Sequence, residues 1–478
     1  MKKYILLFTA AALSLGSCTK FLEQSPAAQA TTSAFYVTQS DFNAAVMACY
    51  AAMRNYPGTD VFPMVEYRSD NMYVKAYTSG AQDQYMINKF TDVPANSLNA
   101  ATWTDLYSTI LKCNEVISRI GGVTTTATFT PAIRNQYEGE ARFIRAFYYF
   151  TLVRLYGGVP LVETPISDKE ALVLKRADIP TTYQFIENDL KLAVTQLPTT
   201  YAATDLGRVK QSAAKALLAK VYMTEGNFTA ALPVLNDVIT TGGYSLQTAV
   251  ANVFSVSNEM NSEVVFAIRF DKAIAGTGHG AWFSPGSDQT TSEVNAALIN
   301  TYNTADARKA LLGFTKTGTV YYINKYFDTQ DPTQKTFDND FIALRYADVL
   351  LMYAECLNET AATLSTDPTD TNGALYWLNL VRKRSLPTAP ILPTQYSTQD
   401  GLRQLIQLER WLEFPLEGHR WFDLVRTKTA KTQVLLHSGI GAAPVADVPD
   451  YRLIFPVPDA EVEKINNKNI FPQNQGYQ

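Results

Sequence analysis

The segment RFIRAFYYFTLVRLYGGVPLV, residues 142–162, places four aromatic residues in a row inside an amphipathic helical pattern. Successive helical side chains lie about 100° apart, so residues 147–150 point in nearly every direction around the axis. A helix that is apolar on all sides is buried among other elements, because a surface helix keeps a polar face. Gly157, Gly158 and Pro160 predict where the helix ends. We therefore predict an interior helix of a larger helical array.

Further helical patterns indicate how that array is built. Residues 212–244 read as two short helices around Gly226, with small residues where the helices approach and large ones in the seam, as in tetratricopeptide repeats. A second such pair spans residues 347–384. Because one pair cannot bury its own apolar face, the pairs must stack. The pattern of apolar and polar residues changes between about 246 and 340, where 263–270 and 319–327 suggest short strands. Helices are expected to return at 341. The fold class predicted is mainly α, with tetratricopeptide-like stacked helix pairs, a loop-rich irregular region and a few short strands.

The N-terminus has the layout of a bacterial secretory signal. Residues 1–17 carry two lysines, an apolar run too short to span a bilayer, and small residues at the end. Leu15-Gly16-Ser17-Cys18 resembles a lipobox, which predicts cleavage before Cys18 and its lipidation; cleavage at a nearby serine with a free thiol is the alternative. Residues 18–34 then form a tether. We expect 35–245 and 246–478 to pack as one unit.

Composition excludes some classes of protein. The chain has 41 basic and 45 acidic residues, mixed throughout, and a net charge of −4, so nothing suggests nucleic-acid binding. Apart from Cys18, the cysteines are Cys49, Cys113 and Cys356, each in an apolar helical stretch. We interpret them as buried thiols, not as a disulfide or a metal site.

Four motifs in order identify a family: RFIRAFYYFTLVRLYGGVPLV, LRYADVLLMYAECLNE, LNLVRKRS and LIQLERWLEFPLEGHRWFDLVR. Together with the lipobox at Cys18 they resemble the SusD/RagB family of outer-membrane nutrient-binding lipoproteins of Bacteroidota. The resemblance runs from Cys18 almost to the C-terminus. It implies a mostly helical scaffold, a ligand site in irregular segments on one side, and a SusC-like TonB-dependent β-barrel as partner. It also implies that the aromatic helix is scaffold. Ligand residues cannot be transferred by motif, because the loops that hold ligand vary within the family.

Catalytic signatures are missing from the sequence. The three histidines do not form a zincin motif, and neither a GxSxG elbow nor a GxxxxGK[ST] loop occurs. Glu409, Glu413 and Glu417 could be compared with a glycosidase carboxylate pair, but an ion-paired helix face with Arg410 and Arg420 as partners is the better interpretation. His419 is interpreted as a structural residue that caps or packs a turn. We therefore expect no enzymatic activity, cofactor or metal.

Two segments combine aromatic rings with planar polar groups in the way that a sugar site requires, since a sugar has an apolar CH face and a belt of hydroxyls. Both lie in loop-like contexts, within residues 66–90 and in the loop GHGAWFSPG. The predicted ligand-binding residues are Tyr67, Arg68, Asp70, Asn71, Tyr73, Tyr77, Tyr85, Trp282 and Phe283.

The resemblance and this composition lead to one expectation of function. We expect a cell-surface, lipid-anchored outer-membrane protein that captures an oligosaccharide and delivers it to a SusC-like TonB-dependent transporter. A peptide is the alternative cargo. A surface enzyme that degrades glycans and an interaction scaffold that uses tetratricopeptide grooves are the alternatives from other classes.

Overall fold

A computed structural model of the chain describes residues 35–75, 80–278, 292–317, 320–329, 333, 336–440 and 443–477. The predicted signal peptide, Cys18 and the tether lie outside the described residues, as do Tyr77, Trp282 and Phe283. Within the described ranges, no helix combines the length and the apolar character needed to cross a membrane.

Helices dominate the described residues, as the sequence predicts. The α-helices in chain order are α1 (Gln39–Ala52), α2 (Gln82–Asn88), α3 (Ser97–Ile120), α4 (Pro131–Tyr156), α5 (Asp168–Ala171), α6 (Ile179–Gln196), α7 (Gln211–Thr224), α8 (Phe228–Thr241), α9 (Ala296–Thr301), α10 (Tyr346–Thr360), α11 (Ala374–Ser385), α12 (Gln399–Glu413), α13 (Arg420–Arg426), α14 (Ala430–His437) and α15 (Asp459–Ile465). A π-helix, Tyr56–Glu66, and several short 3-10 turns connect them.

The strands are short and pair only in twos. They are β1 (Met72–Val74), β2 (Val264–Ile268), β3 (Ser292–Val294), β4 (Phe314–Thr317), β5 (Val320–Ile323) and β6 (Phe341–Arg345). The antiparallel pairs are β1 with β3, β2 with β6, and β4 with β5. Residues 341–345 correct one expectation: helices return at Tyr346, because the stretch before it is the partner strand of Val264–Ile268.

The aromatic helix α4 lies in the interior. The Thr130 side chain caps its N-terminus by accepting a hydrogen bond from the Ile133 N–H, and Gly157 ends it with a φ of 73° that a side chain would oppose. Tyr148, Tyr149 and Phe150 are fully buried, and α4 packs against both α3 and α6. The prediction that this segment is scaffold inside a helical array is therefore confirmed.

The predicted helix pairs are present. Helices α7 and α8 pack together across the turn 225–227, and α10 packs against α11. Helix α10 also packs against α8, so the two pairs stack. The fold is mainly α with stacked helix pairs and few short strands, as expected.

The main core draws on both halves of the chain. Phe143 on α4 meets Phe266 on β2 edge to face, with ring centroids 5.0 Å apart. A smaller cluster, which includes Met72, Val294 and Trp411, lies under the β1–β3 pair. The side chains of Cys49, Cys113 and Cys356 are buried free thiols, as predicted.

Candidate functional site

The β1–β3 ladder joins two parts of the chain that are distant in sequence. Its register pairs Tyr73 with Glu293 and Val74 with Ser292, and the Asn295 N–H donates to the Asn71 carbonyl at 2.8 Å. Because the strands are antiparallel, the end of β1 lies beside the start of β3. Residues 76–79 follow the first of these ends and residues 279–291 precede the second. The pairing thus joins the predicted segment 66–90 to the strand that follows the loop GHGAWFSPG in sequence.

Alternation along the ladder decides which side chains face outward. Met72 and Val74 are buried, whereas Tyr73 and its partner Glu293 are half-buried on the opposite side. Lys75, two residues after Tyr73, is exposed and its ammonium pairs with the Glu293 carboxylate. We call Tyr73, Lys75 and Glu293 the β1–β3 face. It presents an aromatic ring, a cation and an anion at one point of the surface.

The electrostatics of this face fix its protonation. The Tyr73 hydroxyl donates to Glu293 Oε2 at 2.5 Å. Burial raises the pKa of Tyr73 to about 12, and the hydrogen bond and charge of Glu293 act in the same direction, so the phenol keeps its proton. Burial would raise the pKa of Glu293, but hydrogen bonds from Lys75 and Tyr73 outweigh it and lower that pKa. The face thus offers a ring and charged hydrogen-bonding groups in a fixed arrangement.

Tyr67 and Tyr85 flank the face. Tyr67 is half-buried and packs edge to face against Phe62, with ring centroids 6.2 Å apart. Tyr85 lies on α2, where the Lys89 ammonium is 5.7 Å from its ring centroid. Asn88 links these elements: its amide donates to the Tyr67 carbonyl at 2.7 Å and its oxygen accepts from the Val74 N–H at 3.1 Å. These residues are therefore held together. The loop context that the sequence suggested holds for Tyr67, which lies in the turn 67–71, whereas Tyr73 lies on a strand and Tyr85 on a helix.

Arg68 lies beneath this surface. Its guanidinium bonds to Asp92 Oδ1 at 2.5 Å and to the Arg452 carbonyl at 2.9 Å, and it is 4.3 Å from the ring centroid of Phe455. The side chain has no solvent exposure. Arg68 therefore holds the fold under the site, and its Nε–H, which has no hydrogen-bond partner among the described residues, is buried.

Asp70 and Asn71 are also buried. The Asp70 carboxylate accepts two hydrogen bonds from Arg420, at 2.6 and 2.7 Å, and lies 2.7 Å from His437 Nδ1. Its pKa is well below the usual range, because the charge and hydrogen bonds of Arg420 and His437 overcome the cost of burial. Asn71 donates to Glu66 and accepts from the Trp411 indole N–H at 2.9 Å. These two residues position the site from below.

The sequence analysis assigned Arg420 to the glutamates and singled out His419, so the contacts of Arg420 and His437 with Asp70 were not predicted. A shallow cleft beside the β1–β3 face is lined by Tyr73, Asp70 and His437, together with Lys89 and Asn295. His437 reaches it from the C-terminal end of α14. Neither residue carries a local signal, because the pairing with Asp70 joins positions more than 340 residues apart in sequence.

The three glutamates that were compared with a glycosidase carboxylate pair all form ion pairs with arginines. Glu413 bonds to Arg345 at 2.7 Å and Glu417 bonds to the same guanidinium at 2.6 Å. Glu409 bonds to Arg308 at 2.6 Å. The ion-pair interpretation is confirmed, but the expected partners are not, since Arg410 and Arg420 bond instead to Asp348 and Asp70.

His419 is buried and neutral. Burial lowers its pKa to about 3, and the positive charge of Lys220 acts in the same direction. Its Nδ1 lies 2.8 Å from the Lys220 ammonium, which also bonds to Asp348. The structural role predicted for His419 is thus confirmed. Among the described residues, no group of three potential ligands could hold a metal ion.

Known proteins resemble this chain over most of its length. A family model described as SusD family matches residues 269–477, and one described as starch-binding associating with outer membrane matches residues 20–223. SusD-like protein P2 of Formosa agariphila is 28% identical over 526 residues, which cover 100% of this chain and 100% of that protein.

Solved structures share the fold. Surface glycan-binding protein A from Bacteroides fluxus has a TM-score of 0.77 and 22% identity, over 92% of this chain and 100% of its own. Surface glycan-binding protein A from Bacteroides thetaiotaomicron, in complex with laminarihexaose, has a TM-score of 0.73 and 21% identity, over 91% of this chain and 99% of its own. At this identity the likeness concerns the fold alone.

Proposed function

Because the chain belongs to the SusD/RagB family, we propose that it is a lipid-anchored protein of the outer-membrane surface that binds an oligosaccharide and delivers it to a SusC-like TonB-dependent barrel. The observation that carries the binding part is the β1–β3 face, where Tyr73, Lys75 and Glu293 stand together at the surface. The complex of the B. thetaiotaomicron protein with laminarihexaose supports a glycan as the class of cargo.

The face has the chemistry that a sugar ring needs. The half-buried ring of Tyr73 offers an apolar surface for the CH groups, and Lys75 and Glu293 donate to and accept from hydroxyls. Their mutual ion pair compensates both charges, so a neutral ligand is not penalised. We propose Tyr67, Tyr73 and Tyr85 as contact residues, with Tyr77, Trp282 and Phe283 joining them from the adjoining segments. Arg68, Asp70 and Asn71 position them.

Calorimetric titration of the purified chain with oligosaccharides from laminarin, starch and other glycans tests this proposal. Tyr73→Ala and Trp282→Ala should weaken binding more than about tenfold, which corresponds to about 1.4 kcal/mol. The melting temperature should stay nearly unchanged, because Tyr73 is half-buried at the surface. Tyr222→Ala is the matched control, since this half-buried tyrosine lies on α7 in the scaffold.

Three outcomes would oppose the proposal. Weaker binding accompanied by a large fall in melting temperature would mean that these rings belong to the core. Heat with peptides and none with glycans would favour the alternative cargo. New reducing ends after incubation with polysaccharides would indicate an enzyme.

The anchor and the partner have their own tests. Cys18→Ser should release the protein from the membrane fraction, because the acyl chains on that residue would supply the attachment. Retention of the variant in washed membranes would contradict a lipid anchor at Cys18.

A gene for a large TonB-dependent barrel beside the gene for this chain, and co-purification of the two products, would support the transport role.

A further inference from the structure

A second concave site lies between α12, α13, α14 and the end of α9. Its volume is about 510 Å³, within the range of roughly 300–1,000 Å³ that small-molecule sites occupy. Arg420 and His437 line it, and the Asp70 that both contact lines the shallow cleft beside Tyr73. These three residues therefore form a wall between this cavity and the β1–β3 face. We call the cavity the glutamine cleft, after Gln404, Gln407 and Gln433.

Helical spacing explains which side chains reach the glutamine cleft. On α12, residues 404, 407, 408 and 411 follow the i, i+3, i+4, i+7 pattern of one helix face. On α14, Gln433 and His437 are four residues apart in the same way. Rigid helices thus present the lining groups, which is the arrangement that a preformed site requires.

The polar groups of the cleft are mostly neutral. Besides the three glutamines, the hydroxyls of Thr301, Thr427 and Thr429 line it. The side-chain amides of Gln407 and Gln433 make no hydrogen bond with the part of the chain that the structure describes, and both are half-buried. An amide can donate and accept at once, as a sugar hydroxyl does. Two amides are therefore available to a ligand with several hydroxyls.

The charged groups at the base of the cleft already have partners. Arg410 bonds to Asp348 at 2.8 Å and to Asp423 at 2.9 Å, and Arg426 bonds to Glu355 at 2.5 Å. Arg420 is held by Asp70, as described above. Because each guanidinium faces a carboxylate, the cleft carries no uncompensated charge that would select an anion or a cation.

Trp411 lines the cleft as a buried ring in a fixed position, 5% exposed, with the Arg420 guanidinium 4.6 Å from its centroid. Its ring stacks on the His437 imidazole with centroids 4.5 Å apart and planes 14° apart, and its indole N–H is bonded to Asn71. Leu408 is half-buried and gives the lining its accessible apolar side chain, whereas Leu424 is covered. A ligand with apolar CH faces and hydroxyl edges matches this mixture.

We propose that the glutamine cleft binds a neutral, hydroxyl-rich ligand of one or two sugar rings, at a site separate from the β1–β3 face. The inference rests on the geometry of the cleft and does not depend on the function proposed for the face.

Saturation-transfer NMR and calorimetric titration with D-glucose, D-galactose and D-mannose test the site, with D-glucuronate and D-glucosamine as charged probes. The variant Gln407→Leu/Gln433→Leu keeps the approximate side-chain size and removes both free amides. Binding of at least one neutral hexose should fall more than about tenfold in this variant. Gln39→Leu on α1 is the matched control and should bind as the wild type does.

Three results would overturn the inference: the wild type binds no neutral hexose detectably, the double variant binds as the wild type does, or either charged probe binds more tightly than the neutral hexoses. Tyr73→Ala should retain hexose binding at the cleft while it loses oligosaccharide binding at the face. Loss of hexose binding at the cleft can thus be distinguished from loss of oligosaccharide binding at the face. A melting temperature within the range of the control shows that loss of binding in the double variant is not loss of folding.

Discussion

Arg345 is the centre of a buried network of ion pairs that stabilises the fold. Its guanidinium has no solvent exposure and bonds to Glu413, Glu417 and Glu263, at 2.7, 2.6 and 3.0 Å. Truncating one partner of a buried ion pair leaves uncompensated charge and typically costs about 3–5 kcal/mol. We expect Arg345→Ala to lower the free energy of unfolding in guanidinium titrations by at least that amount.

The control for Arg345→Ala is Arg403→Ala. Arg403 pairs with Glu359 at 2.7 Å, but its side chain is 30% exposed. Exposed ion pairs contribute about 0–1 kcal/mol, so this variant should change stability little. Equal effects of the two substitutions would contradict the assignment of Arg345 as the centre of a buried network.

Glu66 makes the stability depend on pH. This buried carboxyl accepts from Asn71 and from the Gly418 N–H, both at 2.8 Å. Burial raises its pKa from 4.5 to about 7 in the folded protein, although both hydrogen bonds lower it. The folded state therefore binds this proton more tightly than the unfolded state. The resulting stability is present below pH 4.5 and is lost as the pH rises through about 7.

We predict that Glu66→Gln removes this pH dependence. Between about pH 4.5 and pH 8 the wild type should lose on the order of 3 kcal/mol that the variant keeps. The measurement is the free energy of unfolding of both proteins at several pH values. Parallel pH profiles of the two proteins would contradict a raised pKa at Glu66.

Residue roles were predictable only where the signal is local. The tyrosines of the segment 66–90 were predicted from composition. The ladder pairs Tyr73 with Glu293, which follows the other predicted segment in sequence. The contacts of Glu293, Arg420 and His437 could not be predicted, because tertiary packing over long sequence separations brings them to Tyr73 and Asp70. The same reason hid the burial of Arg68: charged residues are usually exposed, and this one is covered by Phe90 and Phe455.

At the scale of elements, the end of α4 depends on close backbone approach. A Cβ on Gly158 would lie 2.3 Å from the Ala177 carbonyl oxygen, a contact that only movement of the backbone could relieve. We expect Gly158→Ala to cost about 1–3 kcal/mol, as overpacking does. The measurement is the melting temperature.

Gly122→Ala is the matched control for Gly158→Ala. It lies just after α3, and a Cβ there would come no closer than 3.7 Å to another atom. Its melting temperature should stay near that of the wild type. A neutral Gly158→Ala would mean that the α4 turn is looser than the contact with Ala177 implies.

Helices were predictable because their signals repeat within a few residues. Helix α7 spans residues 211–224, as the spacing of apolar residues predicts. Polar side chains cap two further helices: Thr38 accepts from the Asp41 N–H at the start of α1, and Asn96 accepts from the Leu98 and Asn99 N–H groups at the start of α3. Strand β6 was missed, since a short apolar run becomes a strand only when a distant partner such as β2 pairs with it.

On the scale of the whole molecule, the shared core bears on how the chain unfolds. Tyr56 and Phe341, from opposite halves of the chain, have ring centroids 6.1 Å apart, and α8 packs against α10. We propose that residues 35–245 and 246–478 form one unit, so calorimetry should record one cooperative transition. Two separate transitions, or a stable fragment ending near residue 245, would contradict this.

The β1–β3 ladder also has a consequence for diversification and engineering. The paired residues are 72–74 and 292–294, and the side chains of Met72 and Val294 are buried. In sequence, residues 76–79 follow the first strand and residues 279–291 precede the second. We expect residues 76–79 and 279–291 to be exchangeable for the corresponding segments of a relative while the pairing stays in register. Under the function proposed above, such an exchange should change which glycan is bound and leave the helical scaffold unaltered.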